Sequence, residues 1–378
     1  MNSAHASPRV LLLVNGLGLG NSTRCHAIVQ RLTERGAEVA IITSGNGKWY
    51  FEGRQDAGQI HGIEAFYYAS HNGRISIPRT LLSVGDFRRI AKRNAAVVET
   101  VLDTFRPQVT VIDSVYTTAP MKRRGIPIAA LNNADVVHTS YRRFSERPRS
   151  IRMQFYAIEE MDYLFHRARV DLVLSPNLDE SLPEVGGNVR RIGPIVRRGY
   201  EAKAGAGPVR RVLVMLSGSR FGTPVALKDN RLPFHIDIVG REAPKDFTLP
   251  PNIVYHGRVR DNAHIVQSAD LLLVNGGFSA VSEAFALRKP MVVLPVPNHA
   301  EQWVNGRTIE KLGVGFMAGE NDIEQAMLKA IAGIDELRAA YARLPDMRDG
   351  AAEAAEHIIT LARGRAQPVH SKPERVEP

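Results

Sequence analysis

The chain has 378 residues, of which 44% are hydrophobic and 23% charged, and a formal net charge of +10. This composition is typical of a soluble globular protein, and the length is sufficient for two domains with separate cores. The apolar runs 10–14 and 291–296 are far shorter than the ~20 residues that a membrane-spanning helix needs, and the polar first residues do not resemble a signal peptide. The single cysteine, Cys25, excludes an intrachain disulfide and fits a reducing compartment, so we expect a cytoplasmic protein.

The excess of positive charge predicts an anionic partner. Basic residues are concentrated in the N-terminal half, where a predicted helix carries Arg88, Arg89, Lys92 and Arg93, and a predicted loop carries Arg142, Arg143, Arg147, Arg149 and Arg152. They form either a solvated basic face or a docking surface for anionic lipid headgroups or a phosphorylated acceptor. Peripheral contact with the inner membrane surface is therefore one expectation, whereas nucleic acid is not an expected partner.

Short runs rich in valine, isoleucine and leucine alternate with longer amphipathic segments along the chain. This alternation predicts an α/β protein with parallel sheets covered on both faces. In chain order, the first half has predicted strands at 9–15, 37–43, 64–67, 108–113, 126–131, 171–174 and 189–192, and helices at 23–34, 85–105, 117–124 and 151–167. The second half has predicted strands at 211–216, 235–239, 252–255, 270–274, 291–294 and 315–317, and helices at 261–267, 280–287, 301–312, 322–332 and 351–363.

The pattern restarts after a stretch rich in glycine and alanine, which predicts two domains joined by a linker. We place the N-terminal domain at 1–197, the linker at 198–208, the second domain at 209–345, a helix that packs back toward the first domain at 346–364, and a disordered tail at 365–378. Ligands of open α/β sheets bind beyond the carboxyl ends of the strands. We therefore expect the functional residues in the loops that follow strands, around a cleft between the domains.

A glycine-rich turn, 16–21, follows the first predicted strand and opens the first predicted helix. A dinucleotide fingerprint requires glycine or alanine at its sixth position, where this chain has Asn21, and an acidic residue at the end of the second strand. The second strand has only Glu38, at its start, and the chain contains no P-loop motif. Binding of NAD, FAD or ATP by these motifs is therefore not predicted, and no cofactor is expected.

A second glycine turn, Asn275-Gly276-Gly277-Phe278-Ser279, follows the apolar run 271–274 and precedes a predicted helix. Such a turn leaves backbone N–H groups unpaired at the positive end of the helix dipole, which makes an anion site suited to a diphosphate. Glu283 lies one turn further along the same helix, where its carboxylate could accept hydrogen bonds from a ribose diol. The turn therefore predicts a nucleotide-diphosphate site.

The string N-G-G-F-S-A-V-S-E, followed after the next strand by N-H-A-E-Q-W-V-N, resembles the donor signature of GT-B glycosyltransferases. The turn Gly18-x-Gly20-Asn21-x-x-Arg24 is similar to the N-terminal loop of the MurG-type and UDP-glycosyltransferase superfamily. The resemblance implies a GT-B fold, with two Rossmann-like, doubly wound parallel-sheet domains facing a central cleft. It also implies a transferase that uses a nucleotide sugar, with UDP the preferred nucleotide.

The resemblance assigns nucleotide-sugar binding to residues in several loops. These are Gly18, Gly20, Ser217, Gly218, Ser219, Arg220, His256, Gly257, Arg258, Asn275, Gly276, Gly277, Phe278, Ser279, Glu283, His299, Glu301, Gln302 and Asn305. Gly276, Gly277, Phe278 and Ser279 would contact the diphosphate, and Arg220 would neutralise it as it leaves. The 256–258 segment would hold the nucleobase through backbone groups, with a side chain stacked on it, although a tight turn alone also explains Gly257. Glu283 would hold the ribose, and Glu301 with Gln302 the sugar. Asn305 would support the loop or the phosphate.

The resemblance leaves the catalytic base open, because relatives carry a histidine where this chain has Asn21. Asparagine cannot take a proton near neutral pH, so Asn21 would orient the acceptor or line the phosphate cleft. Asp113 ends a predicted strand and is expected to project into the cleft and take the proton from the acceptor hydroxyl. The alternative is that Asp113 caps the following helix. His26, His71 and His138 are further candidates, although a structural role is the simpler interpretation of each.

The sequence contains no D-x-D motif, so a metal-chelated diphosphate is not predicted. The helix dipole, backbone donors and Arg220 would stabilise the leaving UDP, and the resemblance implies direct attack with inversion. The basic N-terminal half makes an anionic or lipid-linked acceptor plausible, and soluble natural-product acceptors also fit. Two alternatives remain at this stage: a UDP-sugar 2-epimerase of the same fold, and a non-catalytic sugar-nucleotide-binding protein.

Overall fold

The computed structural model describes residues 7–65, 70–71, 74–75, 84–199, 205–215, 233–243, 249–319 and 322–364. Its strands are β1 (Arg9–Val14), β2 (Glu38–Ser44), β3 (Gln59–Ile63), β4 (Ser70–His71), β5 (Arg74–Ile75), β6 (Val109–Asp113), β7 (Ile128–Leu131), β8 (Leu172–Pro176), β9 (Val189–Ile192), β10 (Arg211–Met215), β11 (His235–Val239), β12 (Ile253–Gly257), β13 (Leu271–Val274), β14 (Met291–Val293) and β15 (Gly315–Met317). All pair in parallel except the short antiparallel pair β4–β5.

Helices follow most strands, as crossover connections between parallel strands require. They are α1 (Leu19–Glu34), α2 (Gly45–Phe51), α3 (Val84–Phe105), α4 (Ala119–Arg123), α5 (Ala134–Arg143), α6 (Arg149–Gln154), a π-helix (Phe155–Glu159), α7 (Glu160–Arg169), α8 (Ala263–Ser268), α9 (Phe278–Ala286), α10 (Ala300–Leu312), α11 (Ile323–Ala332), α12 (Ile334–Tyr341) and α13 (Gly350–Gly364), with a 3₁₀ turn at Gln55–Ala57.

The first sheet has seven strands in the order β3-β2-β1-β6-β7-β8-β9. Its central strand β1 is the apolar run RVLLLV, and its last five residues are buried on both faces, as a central parallel strand requires. Strands β2 and β3 lie on one side of β1, and the chain then crosses to β6, which pairs with the other side of β1. This reversal opens a crevice beyond the ends of β1 and β6, where ligands of open sheets bind.

The second sheet repeats this arrangement with six strands in the order β12-β11-β10-β13-β14-β15. Strands β11 and β12 lie on one side of β10, and β13 pairs with its other side. The strand order therefore reverses between β10 and β13, and the crevice lies at the end of β13, where Asn275 begins the glycine turn. Both sheets are doubly wound and parallel. The predicted fold class, α/β with two Rossmann-like domains, is therefore confirmed.

The C-terminal helix α13 packs on the first domain, against α1. Ala351, Ala355 and Ile358 belong to the same buried cluster as Val10 of β1. Its start is fixed tightly, since a Cβ on Gly350 would lie 1.9 Å from the carbonyl oxygen of Gly193. The chain therefore returns to the first domain after it completes the second sheet.

The predicted elements differ from the structure where the hydrophobic pattern of the sequence is weak. The third strand runs over Gln59–Ile63, ahead of the predicted 64–67, because an edge strand that is half exposed can contain polar and glycine residues. Helix α5 was not predicted, so Arg142 and Arg143 end a helix instead of lying in a loop. The predicted helix 151–167 is interrupted by the π-helix Phe155–Glu159. Among the described residues, no helix is long and apolar enough to span a bilayer.

Candidate functional site

The carboxyl ends of the two sheets face a shared cavity of about 610 Å³, with walls from both domains. Of the residues predicted to bind the donor or act in catalysis, those lining it are Gly20, Asn21, Arg258, Asn275, Gly277, Phe278, Ser279, Glu283, His299, Glu301 and Gln302. Gly18, Asp113, His256, Gly257, Gly276 and Asn305 lie outside its lining. Ser217, Gly218, Ser219 and Arg220 lie outside the described residues.

The glycine turn after β13 brings backbone donors to the cavity. Gly276 has a positive φ of 84°, and a Cβ there would lie 2.9 Å from the carbonyl oxygen of Gln302 and 2.9 Å from Val293 Cγ1. Only glycine fits this position. Helix α9 then begins, and the residues from Gly277 to Ala280, whose N–H groups lack intrahelical acceptors, line the cavity. The turn has the form of an anion site.

Two amide side chains hold this turn and the loop beside it. Asn305 is buried and donates from Nδ2 to the carbonyl oxygen of Gly276 at 2.8 Å. Gln302 accepts the amide of Val296 on Oε1 at 2.8 Å, which closes the loop that leads into α10. Asn305 therefore holds the glycine turn, and its predicted roles at the loop of Glu301 and Gln302 or at the phosphate stay predictions. Gln302 lines the cavity while it fixes the loop.

The first-domain glycine turn meets the second-domain turn directly. Ser279 at the start of α9 donates from Oγ to the carbonyl oxygen of Gly20 in the first turn of α1, at 3.0 Å. A Cβ on Gly20 would lie 3.1 Å from that Oγ, so a larger residue there would require the Ser279 side chain to shift. A Cβ on Gly18 would meet no atom within 4 Å. The N-terminal ends of two helices therefore converge at one point of the cleft.

Glu283 lines the cavity with its carboxylate fixed by Arg197. The Arg197 guanidinium lies 3.2 Å (Nε) and 3.1 Å (Nη2) from Glu283 Oε1, and both side chains are buried. Arg197 also donates to Asp261 and Asn262, at 3.1 and 3.0 Å. The sequence did not reveal this partner, which is 86 residues away from Glu283.

The side chains of the predicted nucleobase segment, 256–258, point in two different directions. His256 Nε2 lies 2.7 Å from Asp237 Oδ1 on the neighbouring strand, and His256 is not part of the cavity wall. Gly257 has a φ of 59°, which turns the chain. Arg258 faces the cavity, and its guanidinium stacks 4.0 Å above the ring centre of Trp49 in the first domain. Of the three residues, Arg258 is the one positioned to meet a ligand through its side chain.

The predicted projection of Asp113 into the cleft is also wrong. Asp113 is 0% exposed, and Arg24 covers it with two hydrogen bonds, from Nε to Oδ2 at 2.7 Å and from Nη2 to Oδ1 at 2.5 Å. Cys25 Sγ and Ser114 Oγ donate to the same carboxylate, both at 3.2 Å. Both faces of a central parallel strand are buried, and Asp113 points toward α1. Arg24, which the sequence did not assign, lines the cavity in its place.

In the buried group formed by Arg24, Cys25 and Asp113, the protonation of each residue depends on its neighbours. Burial would lower the pKa of Arg24, but the Asp113 carboxylate raises that pKa above its usual value, so the guanidinium stays charged. Burial and Asp113 raise the pKa of the Cys25 thiol well above its usual value. Cys25 therefore keeps its proton and is unsuited to nucleophilic chemistry.

Two of the three histidines proposed as bases, His26 and His138, are not part of the cavity wall. His26 contacts the Tyr50 hydroxyl at 3.0 Å and the Asp56 carboxylate at 2.9 Å, and burial lowers its pKa. His138 stacks on Tyr163 with ring centres 4.1 Å apart. Neither residue lines the cavity, and the side chain of His71 lies outside the described residues.

The first-domain wall contains carboxylates and amides that the sequence did not single out. They are Tyr116, Asn132, Asn133, Gln154, Glu159 and Asp162. Asn132 donates to Asp162 at 2.6 Å, Asn133 donates to Glu301 at 3.0 Å, and Gln154 donates to Glu159 at 2.8 Å. Within an amphipathic helix these acids resemble ordinary solvent-facing charges, so the sequence carries no signal for them.

The pKa values of the two acids of this wall, Glu159 and Asp162, are shifted in opposite directions. Burial and the neighbouring Glu301 carboxylate raise the pKa of Glu159 to about 8, although the hydrogen bond from Gln154 opposes them. Burial also acts to raise the pKa of Asp162, but hydrogen bonds from His166, Asn132 and other neighbours bring it below the usual value. These opposite pKa directions favour a protonated Glu159 beside an ionised Asp162 at neutral pH.

No cluster of three or more His, Cys, Asp and Glu side chains suited to a metal ion occurs in the part of the chain that the structure describes. Cationic groups in the cavity wall come from Arg24, Arg258 and Arg260 instead.

The paired sheets and the cleft between them form a GT-B fold, as in the solved glycosyltransferases to which the chain is similar. Residues 8–332 match the family described as glycosyl transferase family 1, and the chain belongs to that family. The predicted enzyme class is thereby confirmed.

Similar proteins cover most of the chain. An uncharacterized glycosyltransferase of Methanosarcina mazei is 24% identical over 360 residues, which cover 87% of this chain and 90% of the relative. The UDP-N-acetylglucosamine–N-acetylmuramyl-(pentapeptide) pyrophosphoryl-undecaprenol N-acetylglucosamine transferase of Bacteroides fragilis is 22% identical over 299 residues, 69% of this chain and 73% of that enzyme. Among solved structures, the glycosyltransferase SnogD from Streptomyces nogalater has a TM-score of 0.56 at 19% identity, over 94% of this chain and 99% of SnogD.

Proposed function

We propose that this glycosyltransferase moves a sugar from a UDP-linked donor to an acceptor hydroxyl, without a metal ion and with inversion at the anomeric carbon. The observation that carries the proposal is the turn at Gly276, which directs the N-terminal end of α9 into the interdomain cavity opposite the start of α1. Two helix N-termini at one point favour a diphosphate through their dipoles and free N–H groups. Arg258 supplies positive charge that a metal ion would otherwise provide.

The remainder of the donor has partners in fixed positions. Glu283, held by Arg197, is one helical turn from the diphosphate turn and would accept hydrogen bonds from the ribose hydroxyls. Glu301 and Gln302 lie in the first turn of α10 and would contact the sugar. The similarity to the Bacteroides fragilis enzyme, whose name specifies UDP-N-acetylglucosamine, supports UDP as the nucleotide.

In the proposed reaction, the acceptor oxygen forms a bond to the anomeric carbon as the bond from that carbon to the diphosphate oxygen breaks. UDP leaves with the electron pair, and the acceptor hydroxyl loses its proton to a base of the first domain. Donors aimed at the charge that develops on UDP stabilise the transition state, and removal of one such donor costs about 3 kcal/mol in comparable enzymes.

The test incubates purified protein with UDP-GlcNAc, UDP-glucose, GDP-mannose or TDP-glucose and a panel of hydroxyl acceptors. We expect UDP release and a glycosylated product with a UDP-sugar, at the same rate after treatment with EDTA, and an inverted anomeric configuration by NMR. Conversion of UDP-GlcNAc to another UDP-sugar without acceptor would instead identify a 2-epimerase. Calorimetric binding without turnover of any pair would identify a binding protein, and absence of binding would reject the proposal.

A surface next to the cavity supports an acceptor at the membrane. Met153, Tyr156, Met161 and Leu164 form an exposed apolar stripe along α6, the π-helix and α7, with Met153 83% exposed. Exposed arginines precede and begin this segment at positions 143, 147, 149 and 152. Ile158, beside the stripe, also lines the cavity. A cationic, amphipathic helical surface of this kind suits an anionic bilayer, so we place the lipid-linked acceptor and peripheral membrane contact on this side.

Replacing both Met153 and Met161 by glutamate should weaken binding to vesicles of phosphatidylglycerol and phosphatidylcholine by at least tenfold. Burial of a methionine side chain contributes roughly 1.5–3 kcal/mol, and each new carboxylate is repelled by the anionic lipid. Vesicle co-sedimentation measures the effect. Leu328→Glu is the matched control, because Leu328 is 44% exposed on α11 of the second domain. Equal binding by the double variant and the control would contradict this orientation.

A further inference from the structure

The proposed reaction requires a group that removes the proton of the acceptor hydroxyl. Asn21 lines the cavity, but its amide does not take a proton near neutral pH. The carboxylate of Asp113 is covered by Arg24 and lies outside the cavity lining. The base must therefore be sought among the other groups of the first-domain wall.

Glu159 is at the junction of the two domains and faces the cavity. It is the last residue of the π-helix Phe155–Glu159, and π-helical turns occur frequently at functional sites. The side chain lines the cavity although the residue is only 8% exposed. The π-helix widens the turn that contains Glu159, and the Glu159 side chain is part of the cavity wall.

The second domain fixes the position of Glu159 through Gln154. The side-chain oxygen of Gln154 accepts the backbone amide of Ala300 at the start of α10, at 2.8 Å. This bond sets the orientation of the Gln154 amide, so that its nitrogen donates to Glu159 Oε1 at 2.8 Å. Phe155 packs in the same interface, in a buried cluster with Trp303 of α10. The Glu159 carboxyl group is therefore held in place only when the domains are together.

We propose that Glu159 is the general base of the transfer reaction. This proposal rests on the proposed function, because it needs an acceptor hydroxyl in the first-domain half of the cavity. The ionised Glu159 carboxylate takes the hydroxyl proton while the acceptor oxygen bonds to the anomeric carbon. The bond from that carbon to the diphosphate breaks, and UDP leaves with its electron pair. After the transfer, the proton on Glu159 passes to solvent.

The charges around Glu159 make it a stronger base than the other acid of this wall. Glu301 from α10 and Asp162 from α7 both repel its ionised form, and burial acts in the same direction, so its pKa lies above the usual range. The neighbouring segment α6 contributes the neutral Gln154, and α5 contributes His138, which stacks on Phe155. Asp162 has its pKa lowered by its hydrogen-bond partners, despite burial, and is the weaker base. Proton transfer is most effective when the pKa of the base approaches the working pH.

Infrared pH titration of the whole protein tests the protonation of Glu159 without any substrate. We expect a carboxylic-acid C=O band at neutral pH that disappears as the pH rises through about 8. This band should be absent in Glu159→Gln and present in Glu160→Gln. Glu160 is the matched control, because it is the next residue along the chain and pairs with Arg142 and His138 outside the cavity. An unchanged band in Glu159→Gln would overturn the assignment.

Kinetics then test the catalytic role, with UDP-GlcNAc as donor and two acceptor probes, dodecyl maltoside and 4-methylumbelliferone. With the aliphatic hydroxyls of dodecyl maltoside, kcat should rise with pH as Glu159 loses its proton and should fall about 10²- to 10⁴-fold in Glu159→Gln. With the acidic phenol, which needs little help to ionise, the loss should be much smaller. Glu159→Asp should recover part of the activity, and Glu301→Gln should move the pH inflection downward because it removes a repelling charge.

The outcomes separate this proposal from the proposed function. If Glu159→Gln loses equal activity with both probes and keeps the pH profile of the unaltered protein, Glu159 has only a structural role and the proposal fails. If Glu159→Gln binds UDP-GlcNAc normally by calorimetry but keeps full activity, the transferase function stands and the base is another group. If the unaltered protein binds no UDP-sugar, the proposed function fails, whatever the infrared band shows.

Discussion

Gly276→Ala is expected to lower kcat/KM for the nucleotide sugar by about 100-fold, in the range seen when one transition-state donor is removed. The new methyl group would lie 2.9 Å from the carbonyl oxygen of Gln302 and from Val293 Cγ1, and the φ of 84° is strained for alanine. The turn must move, and with it the N–H groups that begin α9. The strain should also lower the free energy of unfolding by about 1–3 kcal/mol.

Steady-state kinetics and calorimetry with UDP-GlcNAc measure the effect on the donor, and urea unfolding measures the effect on stability. The control for stability is Gly277→Ala, because Gly277 has an ordinary φ of −61° and its Cβ would meet no atom within 4 Å. That neighbour should unfold at the same urea concentration as the unaltered protein. Normal donor affinity in Gly276→Ala would show that the diphosphate does not bind at this turn.

The residues of the proposed donor half could be placed together from the sequence, because they are close to one another along the chain. Gly276, Ser279 and Glu283 belong to one strand–turn–helix unit, in which spacing alone determines which groups face the ligand. Glu301 and Gln302 begin the helix after the next strand, at the same edge of the sheet. In a parallel sheet all such loops meet at one edge, so the sequence could place these residues together.

The proposed acceptor half was not predictable, because it depends on contacts between distant parts of the chain. The side chain of Gln154 accepts the amide of Ala300, and Glu159 lies beside Glu301, across about 140 residues in each case. The π-helix that contains Glu159 has no counterpart in hydrophobic periodicity. The direction of Asp113 was equally hidden, since both faces of a central parallel strand are buried and read alike in sequence.

Arg24→Met is expected to lower the free energy of unfolding by about 3–5 kcal/mol, because it leaves a buried carboxylate without its counter-charge. Asp113 is 0% exposed and would retain only the weaker donors Cys25 and Ser114. The double variant Arg24→Met with Asp113→Asn should recover much of this loss, since it buries no net charge. Urea unfolding of the two single variants and the double variant gives the coupling between the residues. Additive losses would contradict a paired, mutually dependent ion pair.

The same variants decide what Asp113 does in the reaction. If Asp113 positions Arg24 and takes no proton, Asp113→Asn lowers kcat only through a displaced guanidinium, and the pH at which activity rises stays unchanged. Removal of the true base abolishes that rise. A lost pH dependence in Asp113→Asn, with normal stability, would restore Asp113 as the base despite the guanidinium that covers it. An unchanged inflection in the pH profile of Asp113→Asn would show that Asp113 is not the base. Its role would then be to hold Arg24, which lines the cavity.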